Sequence, residues 1–112
     1  MLSISVVAEI IAEDKQLVLG SEAKKKIQRC RHYLNKKIEQ SDAAIYGINT
    51  GFGSLCDYKI SNDDLGKLQA NLVLSHACGT GDKVPDEIVK IMLLLKVQSL
   101  SYGHSGVQLK TV

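Results

Sequence analysis

Hydrophobic positions recur at helical spacing in four separate stretches of the chain. Residues 5–13 predict a short helix, with Ser5 as its cap and Val6, Val7, Ile10 and Ile11 on one face. A second helix begins at Ser21, with Glu22 favourably placed in its first turn. Its apolar stripe is Ala23, Ile27, Cys30, Leu34 and Ile38. The opposite face carries Lys24, Lys25, Arg29, Lys36 and Lys37, the pattern of a solvated outer surface. Ser61 starts a third helix, with Asp64 three residues on as a variant of the capping box. Leu65, Leu68 and Leu72 form its stripe, His76 falls one turn further along, and Gly79 or Gly81 ends it. Pro85 suits the first turn of a fourth helix, and Asp86 and Glu87 complement its dipole. That helix runs to about Tyr102, stops at Gly103, and is apolar on nearly every side from Ile88 to Val97. Two strand candidates are short: Leu17-Val18-Leu19, closed by Gly20, and Ile45-Tyr46.

Composition narrows the function classes. The chain has 112 residues, enough for one domain or a piece of one, and its 45% hydrophobic content argues against disorder. A net charge of +2, no Trp and a single Phe leave nucleic acid and anionic membranes poorly supported as partners. Cys30, Cys56 and Cys78 are odd in number and widely spaced, so they read as free thiols in a reducing compartment, and a cytoplasmic location is expected. No metal site is expected, because His32, His76 and His104 are scattered and no close Cys pair exists. The start of the chain lacks the basic and long apolar segments of a signal peptide, and no apolar stretch is long enough to span a bilayer.

The candidate chemistry lies in Ala44-Ile45-Tyr46-Gly47-Ile48-Asn49-Thr50-Gly51-Phe52-Gly53-Ser54-Leu55. Gly47, Gly51 and Gly53 let the backbone take positive φ and approach other groups closely, shaping a loop around one phenol. A phenol titrates near pH 10, so Tyr46 needs help from its surroundings before it works as a base at neutral pH. Taken alone, Tyr46 reads as a packing aromatic and His76 as a core histidine. The spacing Gly47-x-x-x-Gly51-x-Gly53 is not a dinucleotide fingerprint, and Gly79-Thr-Gly-Asp-Lys83 is not a phosphate loop.

Three segments carry a family resemblance. Tyr46-Gly-Ile-Asn-Thr-Gly-Phe-Gly53 resembles the signature loop of the aromatic amino acid ammonia-lyases. The stretch Leu68-Gln69-Ala70-Asn71-Leu72…Ser75-His76-Ala77-Cys78-Gly79 is similar to a second motif that follows at a similar distance in that family. Residues 93–107 resemble the helix and Gly-x-Ser-Gly turn that come next, with Gln98 where many members have Asn.

The resemblance implies a mainly α fold, with one or two short strands and the Gly-rich tyrosine loop. It makes residues 1–112 one N-terminal segment of a larger lyase. It implies Tyr46 as catalytic acid/base, and His76 with Ser75 as contacts to the substrate side chain. Asn71 matches the family Asn and is a candidate for support. The Ser-His pair resembles the histidine enzymes, which convert L-histidine to urocanate and ammonia. Tyrosine or phenylalanine lyases, aminomutases and a catalytically silent helical module remain alternatives. The family electrophile is a methylidene-imidazolone formed from an internal Ala-Ser-Gly, which does not occur in these 112 residues. The chain by itself is therefore expected to be inactive. The remaining expected partners are the other subunits of a homo-oligomer, a tetramer in the family.

Overall fold

The computed structural model describes residues 2–41 and 43–112. It is mainly helical. The helices are α1 (Ile4–Ala12), α2 (Ser21–Gln40), α3 (Leu65–His76) and α4 (Asp86–Ser101), with short 3-10 helices at Gly53–Leu55, Asn62–Asp64 and Leu109–Thr111. The chain forms two compact units, Met1–Gln40 with Lys83–Val112, and Ser41–Asp82.

In the first unit α4 packs against α1 and α2. The predicted stripe of α2 turns inward, with Ile27 only 1% exposed and Ala23, Cys30, Leu34 and Ile38 half-buried. All five basic residues of the opposite face are exposed. At the end of α4, Gly103 takes φ +74° against the backbone of Lys26, where a Cβ would lie 2.7 Å from the Lys26 carbonyl carbon. A side chain there would drive α4 and α2 apart. Three residues later Arg31 Nη1 donates to the Gly106 carbonyl at 3.1 Å, tying the Gly-x-Ser-Gly turn to α2.

The start of α1 differs from the sequence reading. Ser3, not Ser5, is the cap, and its hydroxyl accepts from the Val6 amide at 3.3 Å. The helix ends with Asp14 at φ +46°, as Lys15 N donates to Ile10 O and Asp14 N to Ile11 O. That pairing is a Schellman closure with Asp in the place glycine usually takes. Glu9 first, then Glu13, hold the Lys15 ammonium above the ordinary lysine range.

Neither predicted strand forms. Leu17–Leu19 takes no regular structure and joins no ladder, and Val18 is 87% exposed. A strand exists only through a partner, and no strand among the described residues offers this segment an edge. Ile45 and Tyr46 instead enter a turn over residues 46–49. Among the described residues the β-type pairing is one isolated antiparallel bridge, Thr50 with Lys59.

In the second unit α3 follows a 3-10 turn instead of starting at Ser61. The Asp64 amide donates to the Ser61 carbonyl at 3.1 Å, and the Ser61 hydroxyl donates to the Asp64 carboxylate at 3.0 Å. The helix stops at His76, before either glycine named as its end. Ser75 Oγ and His76 Nδ1 both bond the Leu72 carbonyl, competing with the backbone of the last turn.

Candidate active site

Tyr46 stands on a turn closed by its own neighbours. Ile48 N and Asn49 N both donate to the Ile45 carbonyl, at 3.0 and 3.2 Å. Asn49, 2% exposed, then clamps the entry to the turn. Its Oδ1 accepts from Ile45 N at 2.7 Å, and its Nδ2 donates to the Ala43 carbonyl at 3.1 Å. Thr50, fully buried, accepts from Gly47 N at 3.2 Å and donates to the Gly51 carbonyl at 3.0 Å. Short polar side chains of this kind replace ladder partners for turn backbone. The predicted Gly-rich tyrosine loop is instead a folded sequence of turn, bridge and 3-10 helix.

The three glycines do different things. Gly47 (φ +67°) lies flat against the Phe52 ring, where a Cβ would come within 2.6 Å of Phe52 Cε1. Gly51 has ordinary φ, but a Cβ there would meet Leu55 Cβ at 2.5 Å. Gly53 needs only its φ of +55°, since nothing lies within 4 Å of its Cβ position.

Phe52 joins the two predicted functional side chains. Its ring centroid is 5.6 Å from that of Tyr46, in a tilted arrangement, and 5.3 Å from that of His76, edge to face. Both separations fall in the range of favourable aromatic pairs. Tyr46 is 64% exposed and His76 is exposed too, so neither is a core residue in this unit.

The tautomer of His76 follows from its partners. The Leu72 carbonyl, 2.8 Å from Nδ1, can only accept, so Nδ1 carries the proton. Ser75 Oγ donates to that same carbonyl at 3.0 Å and offers a lone pair to Nδ1, also at 3.0 Å. In neutral His76 this leaves Nε2 as an acceptor. Ser75 thus acts on the imidazole rather than standing apart from it.

Asn71 lies elsewhere on α3. It lines a shallow cleft of about 270 Å³ with Ile60, Asp64, Lys67 and Leu68, away from the ring cluster. A larger, mostly apolar groove of about 660 Å³ belongs to the first unit, between Ile10, Ile11, Leu93, Leu94 and Val97, and holds none of the predicted site residues. Among the described residues no cluster of His, Cys, Asp and Glu is arranged to hold a metal, and no helix is long and apolar enough to cross a membrane.

Sequence reasoning missed Phe52, Asn49, Thr50 and Gln69. Asn49-Thr50 before Gly51 was a readable turn signal. Gln69 donates from α3 to the Gly47 and Ile48 carbonyls, both at 3.0 Å. It stood within the second family motif, but its signal as a partner of the turn was the seven-residue spacing to His76, which puts both on one helix face. Nothing local singled out Phe52 as the link between rings.

Comparison with known proteins matches the sequence to a family. The aromatic amino acid lyase family model covers residues 2–112. A histidine ammonia-lyase of Legionella pneumophila (strain Corby) is 47% identical over 111 residues, which is 99% of this chain and 22% of the relative. A histidine ammonia-lyase of Deinococcus radiodurans is 40% identical over the same length, covering 21% of that protein. One of Paracidovorax citrulli is 53% identical over 72 residues. The chain spans roughly a fifth of the length of the curated relatives it matches.

Proposed function

Because the chain belongs to the aromatic amino acid lyase family, we propose that it is part of a histidine ammonia-lyase and supplies that enzyme's proton-handling phenol. The observation that carries this reading is the Phe52 ring, which holds Tyr46 and His76, thirty positions apart in sequence, in one aromatic cluster. In the reaction a C–H bond at the substrate β-carbon breaks and its electrons form a carbon–carbon double bond. The C–N bond breaks in turn, and the amino group leaves as ammonia. Tyr46 takes the β-proton on its phenolic oxygen as the phenolate, its own proton having passed to solvent before the substrate binds.

His76 recognises the substrate side chain. With Nδ1–H committed to Leu72, its Nε2 lone pair can accept from the N–H of a substrate imidazole. Ser75 secures that tautomer. Gly47, Gly51 and Gly53 shape the turn, and Asn71, matched to the family Asn, is assigned to support of the active site in the complete enzyme. The names of the relatives support histidine as the substrate.

The chain's own residues cannot form a methylidene-imidazolone, since no Ala-Ser-Gly occurs among them. In the complete enzyme that group would come from residues outside these 112 and would make the amino group easier to expel. We place the complete enzyme in the cytoplasm as a homotetramer. Three free cysteines and the apolar exposure of α4 support a reducing compartment and a larger packed body.

Tyr46→Phe in the complete enzyme tests the reading, with urocanate formation followed by ultraviolet absorbance. We expect kcat to fall by about a hundredfold or more, the low end for loss of a general acid/base, with KM changed much less. A near-normal kcat would reduce Tyr46 to a packing residue.

A further inference from the structure

Three side chains hold the backbone around Tyr46, and one of them comes from outside the turn. Asn49 and Thr50 are internal to it and buried. Gln69 reaches in from α3, more than twenty residues away in sequence. Its amide nitrogen is 3.0 Å from the Gly47 carbonyl and 3.0 Å from the Ile48 carbonyl. Both partners can only accept, so the NH2 group, not the amide oxygen, faces them. One primary amide has two hydrogens, enough to serve both carbonyls.

These carbonyls belong to the two residues that directly follow Tyr46. Gly47 has positive φ, so the direction of its carbonyl is not set by any regular ladder. Gln69 also lies seven residues before His76, two turns along the same face of α3. One helix face therefore carries both the imidazole and the grip on the phenol's turn.

We propose that Gln69 is a positioning residue for the elimination, locking the Tyr46 turn to the helix that carries His76. It sets the phenol's place relative to the group that receives the substrate side chain. The proposal rests on the reading of Tyr46 as the acid/base. The Gln69 side chain is exposed, so replacing it opens no core cavity.

Three substitutions separate donation from bulk. Gln69→Met keeps length and removes both donors. Gln69→Glu keeps shape and sets a carboxylate against two carbonyl oxygens. Gln69→Lys changes shape and charge but restores donors. They are compared in the complete enzyme with Tyr46→Phe as reference, reading kcat, KM for histidine, thermal midpoint and hydrogen exchange at Ile48 and Asn49.

We expect kcat to fall by about tenfold for Met and about a hundredfold for Glu, and to stay within about threefold for Lys, on the scale that small misplacements cost. KM and thermal midpoint should move little. Exchange at Ile48 and Asn49 should accelerate in Met and Glu, and not in Lys. Parental kcat in Met and Glu beside an impaired Tyr46→Phe overturns the positioning role and leaves the Tyr46 reading standing. An unimpaired Tyr46→Phe removes both. Losses that follow side-chain shape, with Lys worst and the midpoint falling in step, mark Gln69 as a packing residue and overturn the proposal.

Discussion

Gly47→Ala should damage the site far more than Gly53→Ala, although both glycines have positive φ, +67° and +55°. An alanine forced into the left-handed region costs about 1–2 kcal/mol, and both variants bear that cost. They differ in what the new methyl meets. At Gly53 it meets nothing within 4 Å, whereas at Gly47 it falls 2.6 Å from Phe52 Cε1. Carbon pairs settle at about 3.5–4.0 Å, so the Phe52 ring must retreat by about 1 Å. That ring cannot retreat freely, because its pairings with Tyr46 and His76 are worth about 0.5–1.5 kcal/mol each. Losing much of both brings Gly47→Ala to about 2–4 kcal/mol, against about 1–2 for Gly53→Ala. Hydrogen exchange in the complete protein should show the Ile48 and Asn49 amides losing their protection in Gly47→Ala and keeping most of it in Gly53→Ala. A displacement of that size at the phenol should also lower kcat by about a hundredfold, with Gly53→Ala held to within about tenfold. Equal effects of the two substitutions would refute the role given to the Gly47–Phe52 contact.

His76→Leu in the complete enzyme should lower histidine turnover by about a hundredfold or more, because a leucine cannot accept the imidazole N–H. Since His76 is exposed, the thermal midpoint should change little; matched losses of midpoint and activity would instead make it a core histidine. The 112-residue chain by itself should form dimers or larger species and bind a hydrophobic dye. Its buried apolar residues, among those described, are Ile27 and Leu100, while Met92 and Leu93 of α4 are each 62% exposed. A sharp monomer in light scattering, with no dye signal and a cooperative melt, would contradict this.

The sequence by itself determined the features that depend on one segment at a time. The inward stripe of α2, from Ala23 to Ile38, follows from helical period alone, and so does its basic outer face. The close of α4 before Gly103 was legible because only a residue free of a Cβ passes there. The candidacy of Tyr46 and His76 was legible only through the resemblance of two motifs, since neither residue by itself reads as more than a packing side chain. The tertiary structure decided whatever needed a second segment. Leu17–Leu19 had strand composition but no partner edge, so it stayed unpaired. Ser3 displaced Ser5 as the cap of α1, a choice between two similar hydroxyls that composition does not rank. The early stop of α3 came from two side chains turning back on the Leu72 carbonyl. Phe52 between two rings, and Gln69 gripping carbonyls more than twenty residues upstream, depend on how α3 lies against the turn. Hydrophobic period says which face of a helix turns inward. It does not say which backbone groups that face will meet, and those meetings set the geometry of the site.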